Sequence, residues 1–429
     1  MRIKTEEIGY LRELAKYVRD IAHNPIWDEK RQLWKDKNAL KKVRPLILAA
    51  LPTEAWDEIM PADSLRIQDP FFQAYEKELR KRIYKYEKLR DDEILHDKLY
   101  VPIHYTLTDW CEDRKRPYSG DSHRAAEYMP CIEDLSDFKH KIKRPEITDV
   151  DWDTSNKDHE EVMEVFGDYL TVELGQPLWG CTDHAVKGAG GSIIDILCEI
   201  RGYENILYDM VDEPEFVHDA MAFMADAYMH YFNQLEEYRL LRLNNNEFMN
   251  WADTPLLSNG LACTDELPPE GFDPSHIKTK DLWGYSMAQE FTIVSPEMLQ
   301  EFVLPYQASI AQRFGLNCYG CCESMDTKWD MIMDMIPHLR ELSVTYTCDI
   351  ELAADKLKND YVFSWKPNTT TLITLFDEKA LYEEMKRGFD IAKDCCLIAS
   401  LRDTQSLYGE PHRATRWVDI SMDLAQQYA

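Results

Sequence analysis

Three of the eleven cysteines, Cys318, Cys321 and Cys322, fall within five positions of the stretch NCYGCCESMD, and Glu323 follows at once. Thiolates and carboxylates are donors that zinc prefers, and a catalytic zinc takes three protein ligands and keeps one position open. Cys318 and Cys321 have CxxC spacing, but no second CxxC or HxxxH pair accompanies them, so a structural knuckle is not supported. In a strand, alternate residues share a face, which groups Tyr319, Cys321 and Glu323 and leaves Cys318 and Cys322 opposite. Where the strand ends, Cys322 can also turn inward. The alternative is plain packing, because free cysteine is among the most buried residue types.

Other candidates are single residues. Asp265, Asp349 and Asp403 each end an expected strand, where a lone Asp ordinarily caps a helix or bonds a loop. Glu290, in WGYSMAQEF, sits among Trp283, Tyr285 and Phe291, a setting for a metal ligand or a general acid with a raised pKa; the plain alternative is a solvated helix residue. KGAGGS at 187–192 lacks the spacing of a phosphate cradle and reads as a flexible loop, and the twelve histidines show no paired spacing.

What must position these groups is a regular series in the C-terminal half. NEFMNWADTP or SNGLACTDELP precedes SPEMLQEFVLPYQASIAQRF; GLNCYGCCE precedes KWDMIMDMIPHL; RELSVTYTCD precedes IELAADKLK. DYVFSWKPN then precedes DEKALYEEMKRGFDIAKD, and CCLIASLRDTQ precedes PHRATRWVDISMDLAQQ. A β-rich run followed by a helix-period run, five times over, predicts parallel strands with helical crossovers and favours a (β/α)8 TIM barrel within an α/β class. Barrel chemistry sits at the C-terminal strand ends. There the series places Asp265 and Glu266, Cys321 to Glu323, Cys348 and Asp349, Lys366 and Asn368, and Arg402, Asp403 and Gln405.

Residues 1–95 are charge-dense with helix-spaced apolar positions, as in TEEIGYLRELAKYVRDIA, and read as a helical extension packed on a barrel of residues 96–429. The polar stretch SDFKHKIKRPEITDVDWDTSNKDHEE reads as a surface excursion.

A hydrophobic content of 45%, with 23 Tyr, 15 Phe and 11 Trp, supplies a large core. Forty-nine basic against 78 acidic residues give a net charge of -29, which repels phosphate backbones and anionic lipid and argues against nucleic acid or membrane partners. The start MRIKTEEIGYLREL has no apolar export core, and no run nears the ~18 apolar residues of a membrane span. An odd cysteine count with adjacent pairs at 321/322 and 395/396 is a poor disulfide framework and suits a reducing, cytoplasmic setting.

The run WGYSMAQEFTIVSPEMLQEFVLPYQASIAQRFGLNCYGCCESMD, with IPHLRELSVTYTCD and LRDTQ after it and RQLWKDKNALKKVRPLIL near the start, resembles the uroporphyrinogen decarboxylase-like superfamily. The YGCCE strand is similar to the anaerobe branch of corrinoid-dependent methyltransferases. The resemblance implies a (β/α)8 barrel and one of two activities. Cofactor-free decarboxylases carry an RxPxWxMRQAGR-like motif, which is absent here. Zinc-dependent methyltransferases pass a methyl group between a substrate and a corrinoid protein, using an HxCG strand and a later Cys.

Set on that pattern, Tyr319 takes the His position, Cys321 the Cys position, and Asp403 falls near the second Cys. The resemblance therefore implies a zinc held by Cys321, Cys322, Glu323 and Asp349, with Glu290, Tyr319 and Asp403 as catalytic groups. The expected reaction moves a methyl group from a small O- or N-methylated substrate to a corrinoid protein. The rivals are a cofactor-free decarboxylase, in which Arg402 or Lys366 neutralises carboxylates, and a corrinoid- or tetrapyrrole-binding protein that turns nothing over. The methyl donor stays open, as does assembly as a homodimer.

Overall fold

The computed structural model describes residues 2–112, 129–175, 193–245, 260–369, 374–402 and 404–429. KGAGGS, NEFMNWADTP and Asp403 lie outside the described residues.

Among the described residues ten strands form: β1 Leu46–Ala49, β2 Lys98–Val101, β3 His104–Leu107, β4 Ile147–Asp151, β5 Thr171–Leu174, β6 Trp283–Ser286, β7 Leu316–Tyr319, β8 Leu339–Val344, β9 Val362–Trp365 and β10 Cys396–Leu401. Six of them make one parallel sheet in the order β1-β10-β9-β8-β7-β6. The sequence CLIASL of β10 is buried at every position, as expected for a parallel strand covered on both faces. Helices fill the crossovers. Ser295, Asp349 and Asp377 cap Pro296–Phe302, Ile350–Leu357 and Glu378–Ile391 by accepting from the first free backbone N–H groups.

The alternation expected of a barrel is therefore present, but among the described residues hydrogen-bonded pairing stops at β1 and β6, while β2–β5 and β3–β4 form separate two-stranded sheets. Irregular chain occupies both free edges. Beside β1, Asp92 N donates to Ile47 O, Ile47 N donates to Asp92 Oδ2 (both 2.8 Å), and Ala49 N donates to Asp91 Oδ2 (2.7 Å). Beside β6, the Asn244 amide accepts from Trp283 N (3.0 Å) and donates to Trp283 O (3.1 Å).

The helix Ile26–Asn38 packs at the N-terminal side of the sheet. Asn38 Nδ2 donates to Leu261 O and Cys263 O, at 2.9 and 2.7 Å, and Arg340, at the start of β8, donates to Asn38 O.

Four of the five expected strands form where the β-rich runs lie. Of the first, NEFMNWADTP lies outside the described residues, and the described part of SNGLACTDELP, 260–268, is buried at Leu261, Ala262 and Cys263 but makes no ladder. Its carbonyls are taken instead by side-chain donors, those of Asn38 and Trp283. The strand preceding Pro296–Phe302 is Trp283–Ser286. Within residues 1–95, LILA at Leu46–Ala49 is a strand of the main sheet. The stretch read as a surface excursion holds β4, which pairs antiparallel with β3, and the start of the helix Trp152–Phe166.

Against the expectation of thiols throughout, Cys111 and Cys131 are joined as a disulfide. No helix among the described residues is long and apolar enough to cross a membrane.

Candidate active site: a thiol pair beside two cations

The strand β7 ends at Tyr319, and Gly320 adopts a φ of +92°, a left-handed conformation that only glycine takes without strain. This turn breaks the alternation on which the shared face of Tyr319, Cys321 and Glu323 depended. Tyr319, fully buried, instead donates its hydroxyl to Gln307 Oε1 (3.1 Å) on the helix Leu304–Ala311. Burial holds its hydroxyl pKa well above the ordinary value. The structure places it in the core between β7 and that helix.

Past the turn, Cys321 is held on both sides of its backbone. Its N–H donates to Glu323 Oε2 (2.7 Å), and its carbonyl accepts from Lys366 Nζ (2.6 Å) and Ser343 Oγ (2.7 Å). Lys366 Nζ also donates to Ser343 Oγ (2.7 Å). The Cys321 sulfur lies 3.5 Å from that of Cys322 and 3.9 Å from Arg402 Nη1. Four elements thus meet at one point: the end of β7, Ser343 on β8, Lys366 just past β9 and Arg402 just past β10. Because the strands are parallel, all lie at one edge of the sheet, the edge that carries chemistry in such folds.

The electrostatics follow from this crowding. A hydrogen bond from Cys322 is the largest cause lowering the Cys321 pKa; burial opposes it, and the Lys366 and Arg402 cations reinforce it, leaving the thiol at about 6. The Cys322 hydrogen bond and the two cations thus favour the ionised form of Cys321, although only 7% of it is exposed. Tyr285, buried beside it, donates its hydroxyl to Gly320 O (3.3 Å).

The other expected ligands are engaged elsewhere. Glu323 is 2% exposed, and its two oxygens accept from Cys321 N and from Ala288 N (3.0 Å), tying the loop after β6 to the loop after β7. Asp349 is exposed and caps its helix through the N–H groups of Glu351 and Leu352. Glu290 lies in the short turn Gln289–Phe291, half-buried; burial chiefly raises the pKa of Cys198 and Tyr203, and the Glu290 charge adds a smaller push. Asp265 and Glu266 are at the opposite edge, paired with Lys35 (2.6 Å) and with Arg340 (2.5 Å).

Among the described residues no three His, Cys, Asp or Glu side chains gather as a metal site. The two thiols that do meet have cations beside them, which a zinc ion would have to approach against charge repulsion. The described residues do not fit zinc.

Sequence reasoning marked Lys366 and Arg402 as strand-end polar groups and gave them a role only in a decarboxylase. It missed Ser343, whose signal is a lone hydroxyl in the apolar run LSV. Trp283, Tyr285 and Tyr319 are 1% exposed or less and pack in the core. A separate cavity of about 900 Å³ opens beyond the ends of β8 and β9, lined in part by Asp326, Thr345, Trp365, Asn368, Glu384 and Arg387.

No family model matches the chain, and no curated protein matches it. Solved structures do match. One is a methyltransferase from Methanosarcina mazei, which aligns over 93% of this chain and 98% of its own, with a TM-score of 0.50 and 10% sequence identity. At that identity the likeness is one of fold.

Proposed function

We propose that the chain is a methyltransferase that takes a methyl group from a small O- or N-methylated substrate and delivers it to a corrinoid carried by a partner protein. The fold shared with a methyltransferase supports the class. The observation that carries the reading is the Cys321 sulfur, fixed at the end of β7 with Arg402 at 3.9 Å and Lys366 on its carbonyl.

Cys321 is the nucleophile of this scheme. Its thiolate attacks the methyl carbon, the bond from carbon to oxygen or nitrogen breaks, and the electron pair leaves with the heteroatom. Lys366 and Arg402 stabilise the negative charge that develops there, a fixed electrostatic contribution in a site shielded from water. The thioether then yields its methyl group to the corrinoid of the partner, and the cations receive the regenerated thiolate. Each half conserves charge and needs no oxidant.

The same two cations favour a second reading, a cofactor-free decarboxylase in which Lys366 and Arg402 hold a substrate carboxylate. The two part on one experiment. The reduced protein is incubated with free cob(I)alamin and either an aryl methyl ether or a methylated amine, and the visible spectrum is followed. Growth of the methylcobalamin band that Cys321→Ser abolishes is the expected result. No change with any methylated probe, together with carbon dioxide release from an arylcarboxylate, overturns it in favour of the decarboxylase.

A further inference from the structure

Consecutive side chains in extended backbone point to opposite sides, yet the sulfurs of Cys321 and Cys322 lie 3.5 Å apart. The turn at Gly320 and the bonds that pin both sides of the Cys321 peptide bring them together. The two differ in access: Cys321 is buried and Cys322 is partly exposed. A buried sulfur facing an accessible one, beside two cations, is the arrangement of a dithiol that exchanges with external disulfides.

We propose that Cys321 and Cys322 are a reversible modification site, which closes to a vicinal disulfide by exchange with a low-molecular-weight disulfide and so withdraws the Cys321 sulfur from reaction. The consequence for activity rests on the methyl-transfer reading; the exchange itself does not. Cys322, the accessible thiol, loses its proton to solvent and attacks one sulfur of R–S–S–R, giving a mixed disulfide and releasing RS⁻. The Cys321 thiolate then attacks the Cys322 sulfur and expels the second RS⁻, which is protonated by solvent. Starting with Cys321 ionised, the protein gives up two electrons and one proton, solvent supplies a second proton, and the external disulfide becomes two thiols. Lys366 and Arg402 favour the charged Cys321 over a neutral disulfide, so an excess of thiol reopens the ring.

Peptide mapping of the full chain tests this. Protein reduced and then freed of reductant is treated with oxidised glutathione, alkylated with iodoacetamide and digested. The expected peptide spanning residues 321 and 322 carries no alkyl group and no glutathione, has lost two hydrogens, and becomes doubly alkylated after dithiothreitol. Cys321→Ser should instead hold glutathione on Cys322, because the resolving sulfur is gone. A wild-type peptide that stays doubly alkylated, or that retains glutathione without closing, overturns the proposal.

Loss of cob(I)alamin methylation on oxidation, with recovery in dithiothreitol, supports the regulatory half. Methylation unchanged in the closed form defeats that half. A chain that closes the ring but never methylates a corrinoid defeats the methyl-transfer reading and leaves the modification site standing.

Discussion

Lys37 Nζ lies 3.9 Å from Glu341 Oε2, and the two side chains are 0% and 4% exposed. The helix Ile26–Asn38 thus brings a cation against a carboxylate on β8, at the end of the sheet opposite the thiols. Burial lowers the Lys37 pKa and raises that of Glu341 to about 7, against an ordinary value of 4.5, with the neighbouring charge of each opposing the shift. Desolvation outweighs the attraction.

Glu341 binds its proton more tightly folded than unfolded. Its stabilising contribution is complete below the ordinary carboxylate pKa and is lost as pH rises through about 7. Relative to Glu341→Gln, the wild type is expected to lose on the order of 3 kcal/mol between acid and pH 8, taking about 1.4 kcal/mol per pKa unit. Urea denaturation at a series of pH values checks this; parallel curves for the two proteins would contradict it.

Removing one partner strands the other. Lys37→Met should cost about 3–5 kcal/mol above pH 8, while Lys37→Met combined with Glu341→Leu should return to wild-type stability or above, as buried ion pairs replaced by apolar residues do. Thermal unfolding of the three proteins decides it, and a double variant less stable than Lys37→Met would refute the desolvation argument.

The thiolate absorbance of Cys321 should titrate near pH 6. Cys322→Ala should raise that midpoint most, since the hydrogen bond from Cys322 is the leading cause, and Lys366→Met or Arg402→Met should also raise it by removing a cation. Glu323→Gln should lower it, because the Glu323 carboxylate repels the thiolate. Absorbance in the far ultraviolet, with Cys321→Ser as the blank, separates these four shifts.

Glu323 holds Cys321 N and Ala288 N with one buried carboxylate. Glu323→Ala leaves two backbone donors unsatisfied and should cost about 3–6 kcal/mol, at roughly 1.5–3 per bond to a charged group. Glu323→Gln keeps one acceptor and should cost about half. Chemical denaturation measures both, and equal costs would show that packing rather than hydrogen bonding anchors the turn.

Four of the five expected strand-then-helix units could be read from the sequence because their strands are short apolar runs between turn residues and their helices keep a 3.6-residue period. What could not be read depends on partners distant in the chain. The buried run Leu261–Cys263 looks like a strand locally; only the donors of Asn38 and Trp283 make it irregular. Tyr319 was grouped with Cys321 by alternation, and the single positive φ at Gly320 undid the grouping. The carboxylates of Asp349 and Glu323 were visible as residue types, but that one caps a helix and the other ties two loops together is a matter of which N–H groups lie within reach.

The edge of β1 carries a last consequence. An outer strand with idle amide groups is a template onto which another chain can add its own backbone. Here the amides of Ile47 and Ala49 are spent on Asp92 and Asp91, and Arg44 locks Asp92 in place with two bonds of 2.6 and 2.8 Å. An incoming carbonyl finds carboxylate oxygens where it needs donors, so the sheet cannot be extended from that side into a fibril, and Asp92→Ala should make the protein prone to clump as well as less stable.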